Sequence, residues 1–182
     1  MAAGWPAKGI AITTTDKNDD KKMVREFSAG ALVLRHMQDR WWAAVIEPGR
    51  EGEPEDRKDL VALPKGNVDA GEEPLQAAVR EVHEETGLHA HPVTKLADVK
   101  YVYSRKWSDH AKVFKIVSFY LMKYQSGQID DIKPAMRHEV RRAYWLPLEE
   151  AAGRLSYSGE KDVARQAMEY LKKAPEGLEK SE

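Results

Sequence analysis

Between Pro74 and Gly87 the chain spaces its acidic residues in a way that one local structure gathers together. Glu81, Glu84 and Glu85 stand at i, i+3 and i+4, and at about 100° per residue an α-helix puts all three on one face. Proline suits the first helical position because its missing N–H would be unpaired there anyway, and Gly87 supplies the stop. Leu75, Ala78, Val79 and Val82 fall at i, i+3, i+4 and i+7, an apolar stripe for docking on a sheet, with the carboxylates largely opposite. Three like charges side by side repel one another. A hard divalent cation relieves that repulsion, since Mg²⁺ prefers carboxylate oxygens and keeps waters that substrate phosphates displace. The competing reading is a solvated polar face with Arg80–Glu84 as an ordinary surface pair.

The flanks supply a sheet. Phe27 to Leu34 reads as a strand and Trp41 to Ile46 as its hairpin partner, with His36 to Arg40 as the polar turn. Leu60 to Leu63 reads as a short strand stopped by Pro64. Further strands are expected at Lys95–Tyr103, Val113–Lys123 and Ala143–Leu146, and helices at Leu148–Leu155 and Lys161–Lys172. Strands mixed with a few helices predict an α/β (α+β) layered sandwich rather than an all-parallel sheet. Residues 1–24 are expected to form a flexible N-terminal tail, 25–174 one domain, and 175–182 a frayed C-terminus, with 48–59 as a charged loop.

Composition excludes several function classes. The formal net charge of −1 gives no global attraction to nucleic acid or to an anionic membrane, so phosphate affinity has to be local. With no cysteine, thiolate metal sites, disulfides and cysteine nucleophiles are ruled out. No apolar run approaches the roughly 18 residues a membrane span needs, and no signal pattern opens the chain, so a cytoplasmic location is the default expectation.

From Gly66 to Leu88 the sequence reads Gly66-x5-Glu72-x7-Arg80-Glu81-Val82-x-Glu84-Glu85-x-Gly87-Leu88. This resembles the Nudix box at every defined position, and the flanking pattern resembles a Nudix domain over Arg25 to Lys172. The resemblance implies an α/β/α sandwich, a mixed β-sheet flanked by helices. It also implies metal-assisted attack of water on a diphosphate linkage, with Mg as cofactor and Mn as an alternative. Carried over, Glu84 and Glu85 resemble the principal metal ligands, and Glu81 a further ligand or the base. Arg80 and Glu72 resemble the pair that braces the helix and its loop, with Gly66 and Gly87 as structural box residues. The Lys65-Gly66 loop would bring a backbone carbonyl, that of Lys65, to the metal. Glu139, six residues before Trp145, matches a glutamate that completes the metal site in mutator-type members.

Substrate contacts are expected from Lys65 and Gly66 beside the metal loop, and from Arg25, Arg105 and Tyr103, with Arg35 and Lys115 as weaker candidates. Tyr101, Tyr103 and Trp107 are candidates for stacking a base. Trp41, Trp42, Trp145 and Phe119 are assigned to packing, and His83, at a variable box position, to the surface. Leu63-Pro64-Lys65-Gly66 and Ser28-Ala29-Gly30-Ala31 resemble the dinucleoside-polyphosphate and diphosphoinositol-polyphosphate branch, although Asn67 stands where that branch often has histidine. The expectation is a phosphorylated small-molecule substrate, first a dinucleoside polyphosphate, acted on by a monomer or homodimer without membrane or nucleic-acid partners. Alternatives are an oxidised nucleoside triphosphate, an RNA 5′-end, or a non-catalytic nucleotide-binding module.

Overall fold

The computed structural model of this chain describes residues 12–13, 23–49, 60–105 and 111–178. Among them, seven strands form one mixed sheet: β1 (Ile12–Thr13), β2 (Met23–Met37), β3 (Arg40–Pro48), β4 (Lys65–Asn67), β5 (His89–Ser104), β6 (Lys112–Ser126) and β7 (Val140–Pro147). The main order is β5-β6-β2-β3-β7, and β1 and β4 also pair with β2. β2 and β6 run parallel from Met23↔Lys112 to Leu34↔Lys123, and every other pairing is antiparallel. The β2–β3 hairpin closes on Gln38 and Asp39, both at positive φ (51° and 59°), the backbone that a two-residue turn of matching twist requires.

Alternation along β2 divides the core between two helical layers. Ala29, Ala31 and Val33 pack with Ala77, Ala78 and Val82 of α1 (Pro74–Thr86). Leu32 and Leu34, with Val117, Phe119 and Leu121 of β6, pack against α2 (Leu148–Arg154) and α3 (Ser158–Lys173) through Leu148, Ala151, Val163, Ala164 and Ala167. Covered on both faces, β2 is buried without interruption from Ser28 to Leu34. The molecule is thus the α/β/α sandwich with a mixed sheet that the sequence predicts. No helix of the described residues is long and apolar enough to cross a membrane.

Several expectations are corrected. Leu60–Leu63 forms no strand beyond a single bridge between Ala62 and Ile46, whereas Lys65–Asn67 does pair with β2, opposite Ser28–Gly30. Pro64 does not stop that pairing, because its carbonyl accepts the Ala31 N–H at 3.1 Å. α1 has the predicted ends but is rotated about its axis. Leu75 is exposed while Ala77 is buried, and so are Glu81 and Glu85. The alanines let the helix lie close on the sheet, which draws the neighbouring glutamates inward. His83 is not a free surface side chain: its ring stacks on His89 at 4.3 Å, and its Nδ1 is buried without a hydrogen-bond partner. The C-terminal turn Pro175–Leu178 docks through Leu178, which is buried in the core. Of the expected tail, Ile12–Thr13 pairs with Val24–Arg25. Its remaining N-terminal part, most of the 48–59 loop, Trp107 and 179–182 lie outside the described residues.

Candidate active site

Arg80 organises the box. Its Nε and Nη2 donate to Glu72 Oε1 and Oε2 at 2.9 and 3.0 Å, a bidentate pair that also holds the Glu72 carboxyl below the usual carboxylate range. Nη2 donates as well to the Asn67 carbonyl at 2.9 Å, and Glu72 accepts the Asp69 N–H at 3.1 Å, so helix and loop are tied together. Nη1 donates to Glu81 Oε1 at 2.7 Å and to Glu84 Oε2 at 3.1 Å. One guanidinium therefore serves three carboxylates and a carbonyl.

Glu81 and Glu85 are 7% and 2% exposed, values that make an unpaired charge expensive. Burial pushes the Glu81 carboxyl up to about 7 against the pull of Arg80, with Glu84 and Glu139 adding to the rise. Burial likewise raises Glu85 well above the carboxylate range, helped by Glu81 and Glu139 and opposed by Lys65. Beyond the Lys65 side chain, the opposing contact on Glu85 is a main-chain one, the Lys65 N–H donated to Oε2 at 2.8 Å. Glu139, in the turn before β7, is half-buried, contacts His138 at 3.2 Å and acts electrostatically on both buried glutamates. The fold thus brings Glu139 within electrostatic reach of Glu81 and Glu85. Gly66 lies against the Glu81 carboxylate so closely that a Cβ there would overlap it.

This donor set suits a divalent cation. Glu72, Glu81, Glu84, Glu85 and Glu139 are hard oxygen donors, and Arg80 cannot neutralise them all. Among the described residues no three acidic or histidine side chains stand in a preformed metal-binding arrangement, and Arg80 engages Glu81 and Glu84.

On the α3 side of the sheet lies a second polar group. Glu26, 2% exposed, accepts from Tyr103 Oη at 2.8 Å and pairs with Arg105 and, at 3.8 Å, with Lys115. Burial depresses the Lys115 ammonium, with Glu26 opposing. The Lys65 ammonium pairs with Glu160 Oε1 at 2.8 Å and lies 5.2 Å over the Tyr157 ring. Burial works against the Lys65 charge, but Glu160, with Glu85 and Tyr157, outweighs it and raises the pKa. Burial raises the Tyr101 hydroxyl, with Lys65 opposing and Glu160, Tyr157 and Glu26 adding to the rise.

Arg105, Tyr103 and Lys115 thus gather, as do Lys65 and Gly66 at the box. Arg25 is exposed, and Arg35 lies 4.2 Å over the Tyr124 ring near the far end of β2. Sequence reasoning missed Glu26 and Glu160, and a signal existed for each. Glu26 alternates with inward-facing Val24 and Ser28, and Glu160 begins an i, i+3, i+4, i+7 stripe with Val163, Ala164 and Ala167.

Comparison with known proteins gives a consistent picture. The family model described as NUDIX domain matches residues 24–169. A Mycobacterium tuberculosis (strain CDC 1551 / Oshkosh) chain named as mutator protein MutT4 is 35% identical over 84% of this chain and 58% of its own length. The asymmetrical bis(5′-nucleosyl)-tetraphosphatase of Mus musculus is 30% identical over 62% of this chain and 72% of its own. Among solved structures, a C. elegans Ap4A hydrolase binary complex superposes with a TM-score of 0.59 at 23% identity, covering 81% of this chain and 98% of that one, a likeness of fold. The chain spans just over half the length of the mycobacterial relative.

Proposed function

This chain belongs to the NUDIX family, and from that membership we propose that it is a Mg²⁺-dependent hydrolase of diphosphate linkages in nucleotide compounds, with a dinucleoside polyphosphate as preferred substrate. The observation that carries the reading is the buried pair Glu81 and Glu85, both raised by burial, with Glu84 acting on Glu81 and Glu139 acting on both. Glu84, Glu85 and Glu139 would hold the metal, with Mn²⁺ as a substitute and the Lys65-Gly66 main chain alongside. When bound, the metal neutralises charge on the phosphate oxygens and helps align the attacking water.

The chain's own residues account for the remaining requirements. Arg80 engages Glu81 Oε1, which leaves Oε2 to take the proton of the attacking water. A carboxyl pushed up to about 7 is a competent base near neutral pH. Arg80 and Glu72 hold helix and loop in register, so the base and the ligands on α1 move as one body. A long phosphate chain needs cations beyond the metal. Arg105 and Lys115, placed by Glu26 on the α3 side, would meet it, and Tyr101 and Tyr103 offer rings for a base. The tetraphosphatase relative supports this substrate class, and an 8-oxo-(d)GTP phosphatase of Mycolicibacterium smegmatis, 32% identical over 86% of this chain and 44% of its own length, favours a second reading, an oxidised nucleoside triphosphate.

The test is a panel of diadenosine polyphosphates, oxidised nucleoside triphosphates, ADP-ribose and 5′-triphosphorylated RNA with Mg²⁺, products separated chromatographically. Glu85→Gln is expected to lower turnover about a hundredfold or more, the scale of losing one charge-stabilising group, with circular dichroism unchanged. Near-normal turnover in that variant, or no turnover of any substrate by the wild type, defeats the reading.

A further inference from the structure

Glu160 lies outside the box, on the helix across the sheet from α1, yet its carboxylate reaches the loop that feeds the box. It is 3% exposed, at the third position of α3. Oε2 accepts the Leu63 N–H at 2.8 Å and Oε1 pairs with Lys65 Nζ at 2.8 Å. From the other side the Lys65 N–H donates to Glu85 Oε2, also at 2.8 Å. Residues 63–65 are therefore gripped from α3 by one buried carboxylate and from α1 by another, with the Pro64 carbonyl fixed on the Ala31 N–H between them.

A buried ion pair is a poor way to dock a helix, since an apolar pair of similar volume packs as well without desolvating charge. What the pair adds is position. The sequence suggests Lys65 as a contact for substrate phosphate, but its ammonium is committed to Glu160 while its amide orients Glu85. We infer that Glu160 is a positioning residue: it fixes Leu63 to Lys65 so that the Lys65 N–H holds the Glu85 carboxylate in its metal-binding orientation. This rests on the reading of Glu85 as a metal ligand. Partners one shell beyond a metal commonly change affinity or rate by about 10–100-fold when lost, which sets the expected scale.

The experiment uses the full chain as wild type, Glu160→Gln, Lys65→Met and the double variant. Mn²⁺ binding is followed by electron paramagnetic resonance without substrate, thermal melting by circular dichroism, and kcat and KM on diadenosine tetraphosphate. In Glu160→Gln the amide oxygen still accepts the Leu63 N–H while the ion pair is lost. Mn²⁺ affinity and kcat are expected to fall about tenfold, with KM within about twofold of wild type. The double variant removes both partners of the Glu160–Lys65 pair, so neither is left buried without the other, and it serves as the deciding comparison if Glu160→Gln fails to fold. It is expected to melt near the wild-type temperature, bind Mn²⁺ about tenfold more weakly, and lose no more than the worse single variant. Unchanged Mn²⁺ affinity in the folded variants, or a rise in KM alone, overturns the inference. A wild type that binds Mn²⁺ but turns over nothing sinks the proposed activity instead, while the Mn²⁺ comparison still decides the role of Glu160.

Discussion

Gly66 shows how a single atom governs the site. Its Cα faces the Glu81 carboxylate, and any Cβ would occupy the same space. Because Glu81 is buried and held by Arg80, a side chain at 66 must displace the carboxylate, the strand or both. Gly66→Ala is expected to cut turnover by at least about tenfold, the scale of a misplaced reacting group, while the sheet stays folded. Steady-state kinetics beside a melting curve checks this, and wild-type kcat in the alanine variant would show that Glu81 can move freely. The box spacing made Gly66, Glu72 and Arg80 legible as a set. What spacing did not carry is burial, because exposure depends on what packs against α1 from elsewhere in the chain.

At the scale of elements, α1 was the most readable segment and also the one whose orientation was misjudged. Pro74 and Gly87 set its ends, with Gly87 at φ 78° and its N–H donated to the His83 carbonyl at 2.9 Å. Gly87 does more than stop the helix. A Cβ there would stand 2.6 Å from the Asp131 carbonyl and 2.8 Å from that of Gln128, in the connection that leads to Glu139. Gly87→Ala therefore combines a left-handed backbone penalty of about 1–2 kcal/mol with a collision, and Tm is expected to fall by several degrees. An unchanged Tm would mean that this connection yields without cost. The misjudged rotation has a simple cause: hydrophobic periodicity counts Leu75 as core, but Ala77, Ala78 and Val82 already fill the contact with the sheet. β4 was missed for a related reason, since a glycine-bearing polar triplet carries no strand signal until β2 offers it a partner.

For the whole molecule, the buried acids link stability to pH and to metal. The Glu81 carboxyl ionises near 7 in the fold and near 4.5 when exposed, so between those values the folded chain holds the extra proton. Without metal, stability is then greatest at the acidic end of the window and falls as pH rises towards 7, with Glu85 acting in the same direction. In a chelator, the wild-type Tm is expected to drop from pH 6 to pH 8 relative to Glu81→Gln. Mg²⁺ should restore more at pH 8 than at pH 6. A wild type and Glu81→Gln that respond identically to pH would show that the Glu81 proton does not matter to folding.

The sequence alone determined the layered sandwich, the helix Pro74–Thr86 and the gathering of Glu81, Glu84 and Glu85, because these depend on periods of two and 3.6 residues and on spacing within one element. Tertiary structure decided which of those glutamates are buried, that Glu139 acts on the two buried ones, and that Glu26 and Glu160 hold the cations on the other face. Such pairings join residues tens of positions apart, and their strength comes from desolvation. Only packing the sheet between its helices creates that environment.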